Sequence, residues 1–375
     1  MQKIRILIVD DAVVVRRMLT DILDSDPDLE VVGTAANGKI ALNKLPQVKP
    51  DVMILDLDMP EMNGLETLAA VRKINSTLPI IAFSTMTERG ASKTLEALSR
   101  GATDYVTKPS TMRGARSAVD TIREELVPKV KAFGRRRRGA SQPMARPSQH
   151  RPVVPRPVVP TKRPVVPRPV TTRSVGAGKT GTQKYSVLAI GTSTGGPNAL
   201  AELLPRLPPN FPVPIVIVQH MPPIFTRILA ERLTTASHLK VVEGSMGAVL
   251  QPGTAYIAPG DYHMTIARGS QTTVVTKTNQ NPPEHSCRPA VDVLFRSVAE
   301  VYKDKVLAVI LTGMGRDGAL GCAKIKQTGG GILAQDEASS VVWGMPGLVA
   351  KQGLAEKVLN IESLAEEITR RICGT

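Results

Sequence analysis

The segment 134–184 constrains this chain more than any other stretch. It carries 13 lysines and arginines and no acidic residue, opens on Gly134 and the four arginines 135–138, and repeats RPVVP from Arg151, Arg156 and Arg163, with RPV again at Arg168. Proline at this density, without aromatic residues, cannot bury a core and favours extended polyproline II conformation. The chain is therefore expected to fold as two units, residues 1–133 and 185–375, joined by a semi-rigid basic spacer over 134–184. The charge follows the same division. Of the net +15, the spacer holds +13, whereas residues 1–133 balance 18 basic against 18 acidic groups and residues 185–375 balance 17 against 15. Nucleic acid is not an expected partner, because the spacer has no aromatics to stack on bases and the flanking units are close to neutral. Weak contact with an anionic membrane surface is the electrostatic alternative for the arginines.

Three cysteines, Cys287, Cys322 and Cys373, exclude a disulfide framework by number and a Cys-x-x-Cys zinc site by spacing. The opening MQKIRILIVDD breaks its apolar run with two acids, and no stretch approaches 18 uninterrupted apolar residues. Neither a secretory leader nor a transmembrane segment is expected, and the setting is expected to be cytoplasmic.

In the first unit, apolar runs at 5–10, 51–56, 79–84 and 104–107, with a weaker one from Val31, alternate with helical patterns. That alternation predicts a parallel sheet covered by helices on both faces. Chemistry in such sheets sits at the carboxyl ends of the strands. The polar residues there are Asp10 and Asp11 after the first run, Asp56 after the third, Ser84 after the fourth, and Lys108 with Pro109 after the fifth. Three carboxylates crowded together raise one another's pKa unless a cation neutralises them, so the cluster predicts a hard divalent ion such as Mg²⁺. A carboxylate so placed can act as nucleophile toward a phosphoryl group, with Lys108 stabilising the transferred charge and the Ser84 hydroxyl bonding to the product.

The motifs VDD, LDLDMPEMNGLE around Asp56, and VTKP at 106–109 resemble a response-regulator receiver domain over about residues 3–121. The resemblance implies a five-stranded, flavodoxin-like parallel sheet. It makes Asp56 the phosphorylation site, gives Mg²⁺ to Asp10, Asp11, Asp56 and the backbone carbonyl of Asp58, and makes Ser84 and Tyr105, with Lys108, the switch residues.

In the second unit, YSVLAIG at 185–191 reads as a buried strand entering Thr192, Ser193, Thr194, Gly195, Gly196 and Pro197, then a helix. A glycine-rich turn from strand to helix suits either a bound phosphate at the helix N-terminus or a nucleophile on a tight turn, since 191–195 satisfies G-x-S-x-G. A nucleophile needs a base and an orienting acid. His220 stands at the end of the strand-like PVPIVIVQ, and Asp317 follows the buried run VLAVILTG, so Ser193, His220 and Asp317 all fall at strand ends. Their chain order differs from the familiar hydrolase folds.

The motifs IGTSTGG, VQHMPP, YIAPGDYHM, HSCRPAVDVLF and LTGMGRDGA resemble the catalytic domain of the CheB family of chemotaxis protein-glutamate methylesterases over nearly all of 185–372. The resemblance implies a doubly wound, mainly parallel α/β domain. Ser193 would be nucleophile, His220 general acid and base, Asp317 its orienter, and the Met314 N–H an oxyanion donor. His263 and His285 fall in family motifs, with packing or loop hydrogen bonding as the expected role. The implied activity is hydrolysis of glutamate γ-methyl esters on chemoreceptors, with deamidation of receptor glutamines, switched by a chemotaxis histidine kinase and associated with receptor arrays. The competing reading is a response regulator whose effector binds a nucleotide at Gly195 and Gly196. It leaves His220 and Asp317 without a joint purpose.

Overall fold

The computed structural model describes residues 2–108, 115–140, 185–270 and 272–374, so most of the basic spacer lies outside the described residues. The first unit runs β1 (Ile4–Val9), α1 (Val13–Asp24), β2 (Leu29–Ala35), α2 (Gly38–Val48), β3 (Val52–Asp56), α3 (Gly64–Ile74), β4 (Ile80–Thr85), α4 (Glu88–Ser99), β5 (Asp104–Lys108) and α5 (Ala115–Ala140). Its sheet has the order β2-β1-β3-β4-β5, with every pair parallel. Every residue of β3 is buried, as a strand covered on both faces requires. β2 is an edge strand with only its two end residues buried, which explains its weak signal in the sequence.

Helix α5 continues through Gly134 to Ala140, seven residues into the expected spacer. Arginine is a good helix former, and no proline lies between Gly134 and Pro143. Gly134 is therefore a packing position. A Cβ there would lie 2.5 Å from Cγ2 of Ile4, so the missing side chain lets α5 approach β1.

The second unit runs β6 (Val187–Thr192), α6 (Gly196–Leu203), β7 (Ile215–Gln219), α7 (Phe225–Ala236), β8 (Lys240–Glu243), β9 (Thr254–Ile257), β10 (His263–Arg268), β11 (Val274–Asn279), α8 (Val291–Tyr302), β12 (Val306–Ile310), α9 (Ala319–Gln327), β13 (Gly331–Gln335), α10 (Met345–Lys351), β14 (Lys357–Leu359) and α11 (Ile361–Cys373). Seven strands form a parallel sheet in the order β14-β13-β12-β6-β7-β9-β8, and β10 with β11 make an antiparallel pair. The chain leaves β6 toward β7 on one side, and β12 returns to its other side. That reversal opens a crevice beyond the carboxyl ends of these three strands. No helix among the described residues is long and apolar enough to cross a membrane.

The two units pack together. The Tyr105 ring stacks on Phe225 with centroids 5.2 Å apart and planes 11° from parallel. Around it, Arg227 pairs with Glu88, Arg232 Nη2 donates to Ser99 Oγ at 3.0 Å, and Asn198 Nδ2 donates to the Ala102 carbonyl at 3.4 Å.

One close approach in the first unit bears on chemistry. Asn63 caps α3 by accepting from the Glu66 N–H, while the Glu66 carboxylate accepts from the Asn63 N–H, a reciprocal capping box. The next residue, Gly64, is pressed against the end of β3: a Cβ would meet the Asp56 carbonyl oxygen at 2.2 Å and the Leu57 Cα at 2.6 Å. Both are backbone atoms that no rotamer change can move. Gly64→Ala is expected to destabilise this unit by about 1–3 kcal/mol, the usual cost of overpacking. Urea denaturation followed by circular dichroism checks it, and an unchanged midpoint would mean that α3 can retreat freely.

Candidate active site

Two clusters of chemistry-bearing side chains stand at the two sets of strand ends. In the first unit, Asp10 and Asp56 are buried, Asp11 is exposed, and one carboxylate oxygen from each lies within 4.8 Å of the others. Lys108 joins them, with Nζ 2.8 Å from Asp10 Oδ2 and 3.0 Å from Asp56 Oδ2. Burial pushes the Asp56 carboxyl above its ordinary value; Lys108 opposes the shift and the Asp10 charge adds to it. Burial works against the charge on Lys108, yet its two carboxylates outweigh it and hold the ammonium above its ordinary pKa. Three hard oxygen donors, one of them open to solvent, suit a divalent cation. The Asp58 side chain is exposed and pairs with Lys93. Ser84 is buried, and its Oγ donates to the Gly90 carbonyl at 3.1 Å.

In the second unit, the crevice beyond β6, β7 and β12 gathers Ser193, His220 and Asp317. Ser193 follows β6, with its N–H on the Thr312 carbonyl at 3.1 Å and its carbonyl accepting from Gly196 N at 2.8 Å. Gly195 takes φ +77°, a left-handed conformation that allows the chain to turn directly into α6. His220 follows β7, and its Nε2 is 2.7 Å from Asp317 Oδ2. Asp317 is 2% exposed and also accepts from the N–H groups of Val291 at 2.6 Å and Asp292 at 2.9 Å, at the start of α8. Burial disfavours its charge, but His220 and these N–H groups outweigh burial and hold the carboxyl below its ordinary value. Burial likewise disfavours the imidazolium, while Asp317 holds the His220 pKa above its ordinary value.

The Ser193 Oγ makes no hydrogen bond among the described residues. Instead the free ring nitrogen of His220, Nδ1, faces the Cys287 thiol at 3.5 Å. The Met314 N–H is also unengaged among the described residues, and Met314 lines the same groove as Ser193 and His220. This groove, about 920 Å³, is walled on its far side by Asp104, Tyr105, Glu124, Glu125 and Lys129 of the first unit.

Several contributors carried little signal in the sequence. Thr312 accepts on its carbonyl from both Ser193 N–H and the Thr192 hydroxyl, which is thereby satisfied in full burial. Asp292 is fully buried and accepts from Gly321 N–H at 2.6 Å and His285 Nε2 at 3.0 Å. His263 is buried too, accepting from Ala290 N–H at 3.2 Å and bonding to the Pro282 carbonyl at 3.1 Å, so both histidines make loop hydrogen bonds. The nucleotide alternative meets a steric obstacle. Space over Gly196 is filled by Gln219 Oε1 and Thr192 Oγ1, 2.0 and 2.5 Å from where a Cβ would stand, leaving no room for a phosphate against it.

Residues 188–368 match the CheB methylesterase family, and residues 6–120 match the response regulator receiver domain. A protein-glutamate methylesterase/protein-glutamine glutaminase of Trichodesmium erythraeum is 49% identical over 377 residues, covering 99% of this chain and 100% of its own. One from a Nocardioides strain is 46% identical over 372 residues, covering 99% and 96%. Among solved structures, the CheB methylesterase catalytic domain of Thermotoga maritima is 44% identical, covering 49% of this chain and 97% of its own, with a TM-score of 0.48. With such identity along nearly its whole length, the chain belongs to the protein-glutamate methylesterase/protein-glutamine glutaminase family, a CheB methylesterase domain preceded by a response-regulator receiver.

Proposed function

We propose that the protein hydrolyses glutamate γ-methyl esters on the cytoplasmic helices of chemoreceptors, releasing methanol, and deamidates receptor glutamines at the same site. The observation that carries this reading is the pairing of His220 with the buried Asp317 at 2.7 Å in a groove shared with Ser193. Because Nε2 is held by Asp317, the proton from Ser193 goes to Nδ1 as Oγ attacks the ester carbonyl. The Cys287 thiol must yield that nitrogen to the serine. Asp317 stabilises the imidazolium so formed, and the Met314 N–H takes the oxyanion. The imidazolium gives the proton to the departing methoxy oxygen, which leaves as methanol, or to the amino group of an amide substrate, which leaves as ammonia. A water molecule, deprotonated by His220, then cleaves the acyl-enzyme and frees the glutamate carboxylate.

The receiver controls access. Asp56 takes a phosphoryl group from a chemotaxis histidine kinase associated with the receptor array. Mg²⁺, held by Asp10, Asp11, Asp56 and the Asp58 carbonyl, would supply neutralising charge for that transfer. Lys108 stays on the phosphorylated side chain, and Ser84 turns its hydroxyl from Gly90 toward the new phosphoryl oxygens. Gly90 lies in α4, which carries Glu88 and Ser99 against α7, and Tyr105 lies on Phe225. In the unphosphorylated form these contacts keep the receiver over the Ser193 groove.

Three outcomes are expected. Ser193→Ala should abolish methanol release from methylated receptor membranes, and activity above a few per cent of the wild type would sink the assignment. Asp317→Asn removes the charge of one of the two partners that raise the His220 pKa, leaving Cys287 alone to oppose burial. Since the base works only when neutral, wild-type activity should climb with pH through a value above the ordinary 6.5 of histidine. The variant's limb should move to lower pH while kcat falls about 10³- to 10⁴-fold through loss of ring orientation. A pH–rate profile beside NMR titration of His220 reads both effects. Finally, the Arg227–Glu88 pair is exposed and worth at most about 1 kcal/mol, whereas the Tyr105 ring is buried at the interface. Tyr105→Ala should therefore raise release without a phosphodonor several-fold, and an unchanged basal rate would refute the masking.

A further inference from the structure

Gln219 ends β7, one residue before His220, and has no part in the chemistry above. Its side chain is 1% exposed. The carboxamide Nε2 donates to the Ser193 carbonyl and to the His220 carbonyl, both at 3.0 Å. Two carbonyl oxygens as neighbours settle which end of the amide is nitrogen. The other end, Oε1, is buried without a hydrogen-bond partner among the described residues. A place in a core that needed only filling would favour an apolar residue of the same length, because a half-satisfied buried amide is unfavourable.

The register explains what the amide does. Strands β6 and β7 pair in parallel up to Thr192 opposite Gln219, and the His220 N–H reaches the Thr192 carbonyl at 3.1 Å. Beyond that rung the two chains part. Ser193 turns into α6, and His220 leads into Met221, Pro222 and Pro223. The ladder therefore stops at the point where the two reactive residues begin. Gln219 adds one more rung with its side chain, tying both backbones through a single nitrogen. Gly196 is shaped around this arrangement, since a Cβ there would strike Gln219 Oε1.

We infer that Gln219 is a positioning residue that fixes the separation of Ser193 and His220. This rests on the reading of those two as nucleophile and base. Without the clamp, the His220 N–H to Thr192 rung remains, but no bond reaches the Ser193 carbonyl from the β7 side and the separation is less tightly held. Misplacement by about 1 Å can cost roughly 100-fold in rate.

The test uses the full chain with acetyl phosphate and methylated receptor membranes, comparing wild type, Ser193→Ala, Gln219→Met and Gln219→Glu for methanol release and for serine labelling by a fluorophosphonate. Gln219→Met keeps the length and removes the donor. It is expected to lower kcat and the labelling rate about 100-fold, with KM within twofold. Gln219→Glu keeps a donor only while its carboxyl is protonated, so its activity should fall with rising pH across the range where the wild type gains. A purely structural role would give neither the kcat-only loss nor the new limb. If Gln219→Met keeps kcat within threefold, or Gln219→Glu follows the wild-type pH profile, the clamp is wrong. Should Gln219→Met fail to fold, the limb of Gln219→Glu decides alone, since it is read within one folded protein. Full activity in Ser193→Ala would instead overturn the Ser193–His220 reading itself, and the clamp's purpose with it.

Discussion

The negative charge of Asp317, almost wholly out of water, is the constraint on which the C-terminal unit depends. A buried carboxylate is tolerated only when its oxygens are satisfied. Here the imidazole of His220 and two N–H groups at the start of α8 satisfy it. One side chain thereby joins the loop after β12, the loop after β7 and the N-terminus of a helix. Breaking such a pair by removing one partner typically costs about 3–5 kcal/mol, because the charge left behind has no compensation. Asp292, directly beside it, meets the opposite fate. Burial pushes its carboxyl up and the Asp317 charge adds to the shift, with Gly321 and His285 as counterweights. Two adjacent carboxylates are thus driven apart in pKa by their surroundings, and the one held low is the one that faces the imidazole.

The receiver site obeys a related rule with a different outcome. Its carboxylates are also crowded, but Lys108 bridges only Asp10 and Asp56, and Asp11 remains in solvent. Such a cluster stays responsive to an added cation or anion, whereas the Asp317 cluster is closed by its own hydrogen bonds. On the proposed regulation, this difference separates a site that must change state from one that must not. Ser84 makes the coupling short. Its hydroxyl is spent on Gly90 in the first turn of the helix that lies against α7.

Much of this was legible in the sequence because chemistry at strand ends leaves a local trace. Asp10, Asp56, Ser193, His220 and Asp317 each follow an apolar run that ends abruptly, and the parallel topology does the rest. Elements whose signal is not local were harder to read. β2 is polar because it is an edge, and α5 runs on through a basic stretch because helix propagation depends on packing at Gly134 that the sequence does not display. In the sequence, nothing sets Gln219 and Thr312 apart from other polar residues at strand ends. Their meaning lies in carbonyl groups on other strands, and carbonyls are identical in every residue. Cys287 reaches His220 across 67 positions of chain, through a loop with His285 and Ser286 at φ +53° and +61°, a conformation that residue type alone does not announce.

The interface between the units has the properties a reversible cover needs. It includes one aromatic stack, worth about 0.5–1.5 kcal/mol beyond the area it buries. The polar contacts around it are largely exposed, and exposed pairs contribute about 1 kcal/mol or less. Beside the stack, a groove of about 820 Å³ runs along α4, α6 and α7, and Leu95, Leu98, Leu229 and Leu233 on its walls are themselves buried. Moving a two-state equilibrium from 1:99 to 99:1 takes about 5.5 kcal/mol of differential interaction. A phosphoryl group can gain one to three charge-assisted hydrogen bonds. On the proposed masking, the cover must be weak enough for those few bonds to reverse it. Filling the groove between α4 and α7 with larger side chains would, on the same masking, strengthen the cover beyond what one phosphoryl group can reverse.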